Sequence, residues 1–288
     1  MSRFIISGFS DEISPNIDEQ IAGVKQLGLS HLVLRFVDGE NIADLTIDKA
    51  KEVKSKLDRN GIGVSSLGSP IGKVDIDSPF ADEMKRFLHV LDLAKIFETR
   101  FIRIFSFYVP QGKDVNIDQY SATVIDRLGA MAVVAEKHGI TLIHENEKGI
   151  YGDNDTRCNE ILTALAPYGL KAAFDPANFV QCGVDTLAAF RLLKQHVAYM
   201  HIKDANASDN SIVPAGEGDG QIREILYDIA YNGDQSDMFL SLEPHLGSFV
   251  GLDTLEKDSV VSEKEMSSLS LYSKALASLK KITDNILL

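Results

Sequence analysis

Short apolar runs rich in Val, Ile, Leu and Phe return about every 25–45 residues along the chain, and the longer stretches between them have helical periodicity with charged faces. The runs are predicted strands: FIISGF at 4–9, HLVLRF at 31–36, GVSSLG at 63–68, FIRIFSF at 101–107, TLIHEN at 141–146, KAAFD at 171–175, AYMHIKD at 198–204 and MFLSLEP at 238–244. Ser14 and Pro15 mark the start of one intervening helix, Ser78 and Pro79 the start of another, and Gly139 the end of a third; the last helix is predicted over 262–282. Strict alternation demands parallel strands joined by right-handed crossovers, and eight such units close a barrel. The predicted architecture is therefore α/β, a (β/α)8 TIM barrel. An open doubly wound sheet is the rival, but SGFSDEIS after the first strand lacks the GxGxxG fingerprint of that fold.

Length and composition fit this picture. The 288 residues are 44% hydrophobic and 25% charged, enough for a sizeable core, and no Pro-, Gly- or Ser-rich linker divides them. One domain over residues 1–288 is expected. A formal net charge of -13 opposes binding to nucleic acid or to anionic membrane surfaces, which leaves a small molecule as the expected partner. No long apolar segment or signal peptide is read, so a cytoplasmic location is expected, and a homo-oligomer is allowed. Cys158 and Cys182 lack the spacing of a zinc or redox motif and read as reduced thiols.

Chemistry in a barrel of this kind sits at the carboxyl ends of its strands. Glu145, Asp175, His201 and Glu243 stand at or near the ends of the last four predicted strands. Strand alternation puts each in phase with a residue two places back, namely Ile143, Ala173, Tyr199 and Ser241, so the four can form one inward-facing ring. Three carboxylates and an imidazole brought together repel or are desolvated unless a positive charge lies among them. One divalent metal ion resolves this, and the mixed oxygen and nitrogen donors suit Mn, Mg, Co or Zn.

Further candidates lie around that ring. Arg35 and Arg103 can reach a substrate anion or bridge strand ends to a helix, and Lys203, in phase with His201, can polarise a substrate oxygen. His144 faces away from the ring by alternation. His245, beyond Pro244, and Glu217, in the GEGDG loop at 216–220, are candidate substrate contacts. The GSPIGK segment at 68–73 has too few residues between its glycines for a nucleotide-phosphate loop, and no Ser or Thr follows Lys73.

The segments HEN at 144–146, FDPANF at 174–179, HIKDA at 201–205 and LEPH at 242–245, with SPIGKVDID at 69–77 and GEGDG, resemble the sugar phosphate isomerase/epimerase superfamily with the xylose isomerase-like barrel. That superfamily includes ketose 3-epimerases, hydroxypyruvate isomerase, inosose dehydratase and, more distantly, the endonuclease IV type of nuclease. The resemblance implies that Glu145, Asp175, His201 and Glu243 hold the metal and that Glu145 and Glu243 also exchange protons with the substrate. Where ketose 3-epimerases continue DxxH, this chain reads Asp175-Pro176-Ala177-Asn178, so Asn178 replaces a substrate-binding His.

The chemistry fits such roles. A proton leaving the carbon beside a carbonyl creates an enediolate that a chelating metal stabilises, and a carboxylate can carry the proton. The expected function is a metal-dependent isomerase or epimerase of a small sugar, with a dehydratase on the same barrel as the alternative. Phosphodiester hydrolysis is disfavoured by the acidic charge and by only seven His.

Overall fold

The computed structural model describes residues 4–112, 115–233, 236–249, 252 and 266–287. Eight parallel strands form one sheet: β1 (Phe4–Gly8), β2 (His31–Leu34), β3 (Gly63–Leu67), β4 (Phe101–Ile104), β5 (Thr141–Glu145), β6 (Lys171–Phe174), β7 (Val197–Ile202) and β8 (Met238–Leu242). Neighbours in sequence pair in order from β2 to β8, β8 pairs with β1, and a parallel bridge between Phe9 and Val33 closes the circle. The barrel expected from the alternating pattern is thus the barrel observed.

Its helices start and stop where local chemistry dictates. In α1 (Ile17–Gln26) the Asn16 side chain accepts from the backbone N–H groups of Asp18 and Glu19, so the cap falls just past the predicted Ser14 and Pro15. In α2 (Ile47–Asn60) Thr46 caps the start and Gly61, at φ 67°, closes the end. Pro79 immediately precedes α3 (Phe80–Ile96), and α4 (Ser121–Lys137) ends two residues before Gly139. Among the described residues the remaining α-helices are α5 (Asp155–Leu165), α6 (Pro176–Gln181), α7 (Thr186–Leu193), α8 (Ile222–Asn232) and α9 (Ser268–Leu287). The last runs further than the predicted 282, because Ile282 and Ile286 continue its buried stripe. Residues 262–265 of that expectation lie outside the described residues.

The observed strands also stop short of several predicted ends. Pairing in β2 ends at Leu34, and Phe36–Val37 turns into a hairpin with Glu40–Asn41 through Asp38 and Gly39, both at positive φ. That Asp-Gly pair is a hairpin signal the apolar-run reading passed over. A second small hairpin pairs Asp204–Ala205 with Ile212–Val213.

The barrel interior is layered along the strands. Phe101, Tyr199 and Phe239 meet edge-on or tilted near one end, with ring centroids 5.6–6.5 Å apart. Above them the Tyr199 hydroxyl meets Ser65 Oγ at 2.9 Å, and Ser65 meets Ser7 Oγ at 2.6 Å. One alternation further, Arg103, Glu145, Asp175, His201 and Glu243 occupy the carboxyl end, in the phase set by Phe101, Ile143, Ala173, Tyr199 and Ser241. The larger apolar core lies between the strands and the surrounding helices.

Candidate metal centre and active site

Glu145 ends β5, Asp175 follows β6 as the N-cap of α6, His201 lies in β7, and Glu243 follows β8 by one residue. All four are at most 3% exposed, and each offers a ligand atom within 4.8 Å of the others. His201 Nδ1 lies 2.9 Å from Glu145 Oε1 and 3.2 Å from Glu243 Oε2. His201 Nε2 is buried without a hydrogen-bond partner, and Glu145 Oε2, Asp175 Oδ2 and Glu243 Oε2, buried beside it, make ion pairs at 3.1–3.3 Å in place of well-aligned hydrogen bonds. A buried ring nitrogen left unbonded is costly, and with three carboxylates converging on it the cluster fits a group that takes electron pairs from oxygen and nitrogen together. The donor set present therefore fits one divalent cation.

Three cations hold the cluster from outside. Arg103 Nη1 is 3.1 Å from Glu145 Oε2, and its Nη2 donates to the Gly68 carbonyl. Arg35 donates through Nε to Asp11 Oδ2 at 2.8 Å, through Nη2 to Glu12 at 3.3 Å and through Nη1 to Glu243 Oε1 at 3.0 Å. Lys203 Nζ is 3.3 Å from Asp175 Oδ2. All three expected cations thus reach the site, each already paired with a buried carboxylate.

The charges order the titrations. Burial would raise Glu145, but the positive charges of His201 and Arg103 outweigh it and hold this carboxyl at about 2. Glu243 is likewise kept well below the usual range against the effect of burial by Lys203, His201 and His245. Burial pushes Asp175 up to about 7, with Lys203 only partly opposing it. His201 is raised to about 9, since Glu145 and Glu243 overcome the burial that would lower it.

Asn178 sits beside Glu145, its Nδ2 3.4 Å from Glu145 Oε1 and donating to the Asn146 carbonyl at 2.9 Å. Asn146 in turn clamps the Asp175 backbone, donating to its carbonyl and accepting from its N–H. His245, at φ 47°, places Nε2 3.4 Å from Glu243 Oε1 and 3.5 Å from Glu12 Oε1. Glu217 is exposed on the GEGDG loop, outside the metal cluster. The N–H groups of Gly216, Gly218 and Gly220 in that loop all donate to the Asp204 carboxylate. His144, facing away from the ring as expected, is buried and lowered to about 4 by that burial. Cys158 and Cys182 are free, as expected.

Asp11 and Glu12 escaped the sequence reading although a usable signal existed, and Asn146 entered it only within the HEN segment, with no role of its own. The Asp-Glu pair follows the first strand run, where the strand-end rule applies, and Asn146 follows Glu145 directly. The aromatic wall of Phe9 and Phe105, stacked on Arg35 and Arg103, left no such sign. A cleft of about 630 Å³ opens at the opposite, amino end of the strands, around Arg100, Lys171 and Lys194, away from this chemistry.

A barrel with its acidic cluster at the carboxyl end defines a class, and the sequence itself places the chain within one family. Residues 21–248 match the model of the xylose isomerase-like TIM barrel, and the chain belongs to that family. Among solved structures it is similar to an L-ribulose 3-epimerase, at 18% identity and a TM-score of 0.74 over 99% of this chain and 96% of that one. It is also similar to the probable 3-DHS dehydratase AsbF of Bacillus anthracis, involved in petrobactin synthesis, at 14% identity and a TM-score of 0.70 over 97% and 99% of the two chains. The IolI protein with a bound zinc atom aligns at 12% identity and a TM-score of 0.74 over 98% of each chain. No curated protein matches the sequence.

Proposed function

We propose that this chain is a divalent-metal-dependent isomerase or epimerase of a small sugar or polyol ketone, with Glu145, Asp175, His201 and Glu243 as the metal ligands. The observation that carries this reading is the convergence of three buried carboxylates and one imidazole, with ligand atoms within 4.8 Å of one another and the His201 Nε2 left without a hydrogen-bond partner. A bound divalent ion would act there as a Lewis acid toward the oxygens of a hydroxy-carbonyl group, which acidifies the hydroxyl-bearing carbon beside the carbonyl.

The protein's own residues supply the rest. Glu145 and Glu243 are the proton carriers, because both are held ionised and each belongs to a different wall of the ring. For epimerisation one carboxylate takes the proton from one face of the carbon, and the other, ionised at rest, takes up a proton from water and delivers it to the opposite face, the first then releasing its proton to solvent. For isomerisation a single carboxylate carries the proton between adjacent carbons. Arg103 aligns Glu145 and Arg35 aligns Glu243, so neither glutamate has to search for its geometry. Asn178, Lys203 and His245 are the substrate-contacting donors beside them, and exposed Glu217 is retained only as a residue of the outer loop.

The test is a panel of aldoses, ketoses, their phosphates and inososes incubated in deuterated water with Mn²⁺ or with chelator. Metal-dependent entry of deuterium at the carbon beside the carbonyl is the expected result. A product with a new double bond would identify a dehydratase instead, and turnover without exchange would point to hydride shift.

A further inference from the structure

The loop after β3 carries Lys73, the residue that made GSPIGK look like a phosphate loop, to the rim of this site. Its Nζ lies 4.3 Å from the centre of the Phe105 ring, and the Arg103 guanidinium carbon lies 4.9 Å from the same ring. Glu147, two residues beyond Glu145, meets Lys73 Nζ at 2.9 Å. The side chains of this pair are 13% and 15% exposed, whereas the four ligand residues are at most 3% exposed. Lys73 and Glu147 are thus the first step outward from the buried cluster toward solvent along the Phe105 wall.

Charge around the site is accounted for without an anion. Asp11, Glu12, Glu145, Asp175 and Glu243 are buried against Arg35, Arg103 and Lys203, so each of these three cations is already held by a carboxylate. Lys73, the next cation along this wall, is neutralised by Glu147. A phosphate arriving at the rim would face the Glu147 carboxylate and find these four cations already paired. A hydroxyl suits the same two groups, since it accepts from an ammonium and donates to a carboxylate at once.

We infer that the Lys73–Glu147 pair determines specificity, gripping the uncharged hydroxyl end of a sugar whose carbonyl end lies at the metal and excluding the corresponding phosphate ester. The inference rests on the proposed carbonyl chemistry only for the direction in which the sugar lies. Selection by repulsion is as much a part of specificity as attraction, and Glu147 is the repulsive element.

The experiment compares D-ribulose with D-ribulose 5-phosphate on the Mn²⁺-loaded full chain, by calorimetric binding and by deuterium uptake, for the parent, Glu147→Gln and Lys73→Met. Thermal unfolding checks that each variant is folded. The parent should favour the free sugar by about tenfold or more; Glu147→Gln should narrow that ratio to about threefold or reverse it, and Lys73→Met should weaken the free sugar by about tenfold. Preference for the phosphate ester in the parent, a ratio unmoved by Glu147→Gln, or no binding of either ligand would overturn the inference. Selective binding without metal-dependent deuterium uptake would leave the inference standing and sink the proposed reaction.

Discussion

Arg35 shows at the scale of one residue how the centre is held. It is 1% exposed, is paired with Asp11, Glu12 and Glu243, and stacks on Phe9 with its guanidinium carbon 4.5 Å from the ring centre. Replacing it by Met strands three buried carboxylates, so Arg35→Met should cost about 3–5 kcal/mol of unfolding free energy in urea titrations. A loss below about 1 kcal/mol would show that the network relaxes or takes up water. Glu145→Gln and Glu243→Gln test the proposed role of the two glutamates as proton carriers. An amide still coordinates through oxygen but accepts no proton, so turnover should fall on the order of 10²–10⁴-fold while sugar binding changes much less. The carboxylates themselves were legible in the sequence because strand-end position and alternation fix their direction. Their partners were not, since which cation meets which carboxylate depends on strands that are distant along the chain.

Asp204 plays the corresponding role for an element. Its carboxylate accepts from the backbone of Gly216, Gly218 and Gly220 as well as from Ala205, folding the loop that leads into α8 back onto the end of β7. Asp204→Ala should destabilise the protein by about 2–4 kcal/mol and loosen that loop, read as faster amide exchange at Gly216–Gly220. Protection equal to the parent's would show that backbone geometry alone holds the loop. Gly72 marks the other constrained connection, at φ 86° with an added Cβ falling 2.1 Å from the Phe105 carbonyl oxygen. Elements of this kind were only partly legible. The eight strands announced themselves by apolar runs, and the helices by caps and periodicity. Strand ends at 35–36, 105–107 and 203–204 were overextended because apolar and in-phase residues continue past the last ladder bond. Only pairing with a neighbour decides where a strand stops.

For the whole molecule, proton and metal binding are linked. In the metal-free protein His201 holds its proton to about 9 against an ordinary 6.5, so its contribution to stability is complete below 6.5 and is lost as pH rises toward 9. Glu12 and Asp175, both raised to about 7, act in the same direction over the window from their ordinary 4.5 and 3.8 up to 7. The metal-free melting temperature should therefore fall as pH rises from 6.5 to 9. Mn²⁺ should raise it most at the upper end, because His201 must lose its proton to become a ligand. A pH-independent increment on adding metal would contradict that linkage. Elemental analysis should find about one equivalent per chain: Glu12, Glu243 and His245 also converge, but Arg35 already donates to Glu12 Oε1 and Glu243 Oε1.

The sequence by itself determined the barrel and the phase of the acidic ring at its carboxyl end. Period-two alternation, cap chemistry and the alternation of strand with helix are local or nearly local signals, and eight repeats leave few ways to bury their apolar faces. Tertiary structure alone decided the electrostatics of the site. It brought Asp11 and Glu12, more than two hundred residues away in sequence, against Glu243 through Arg35, and it set Lys73 against Glu147 across Phe105. Such pairs carry no periodic signature, because barrel closure brings together side chains whose separation along the chain is arbitrary.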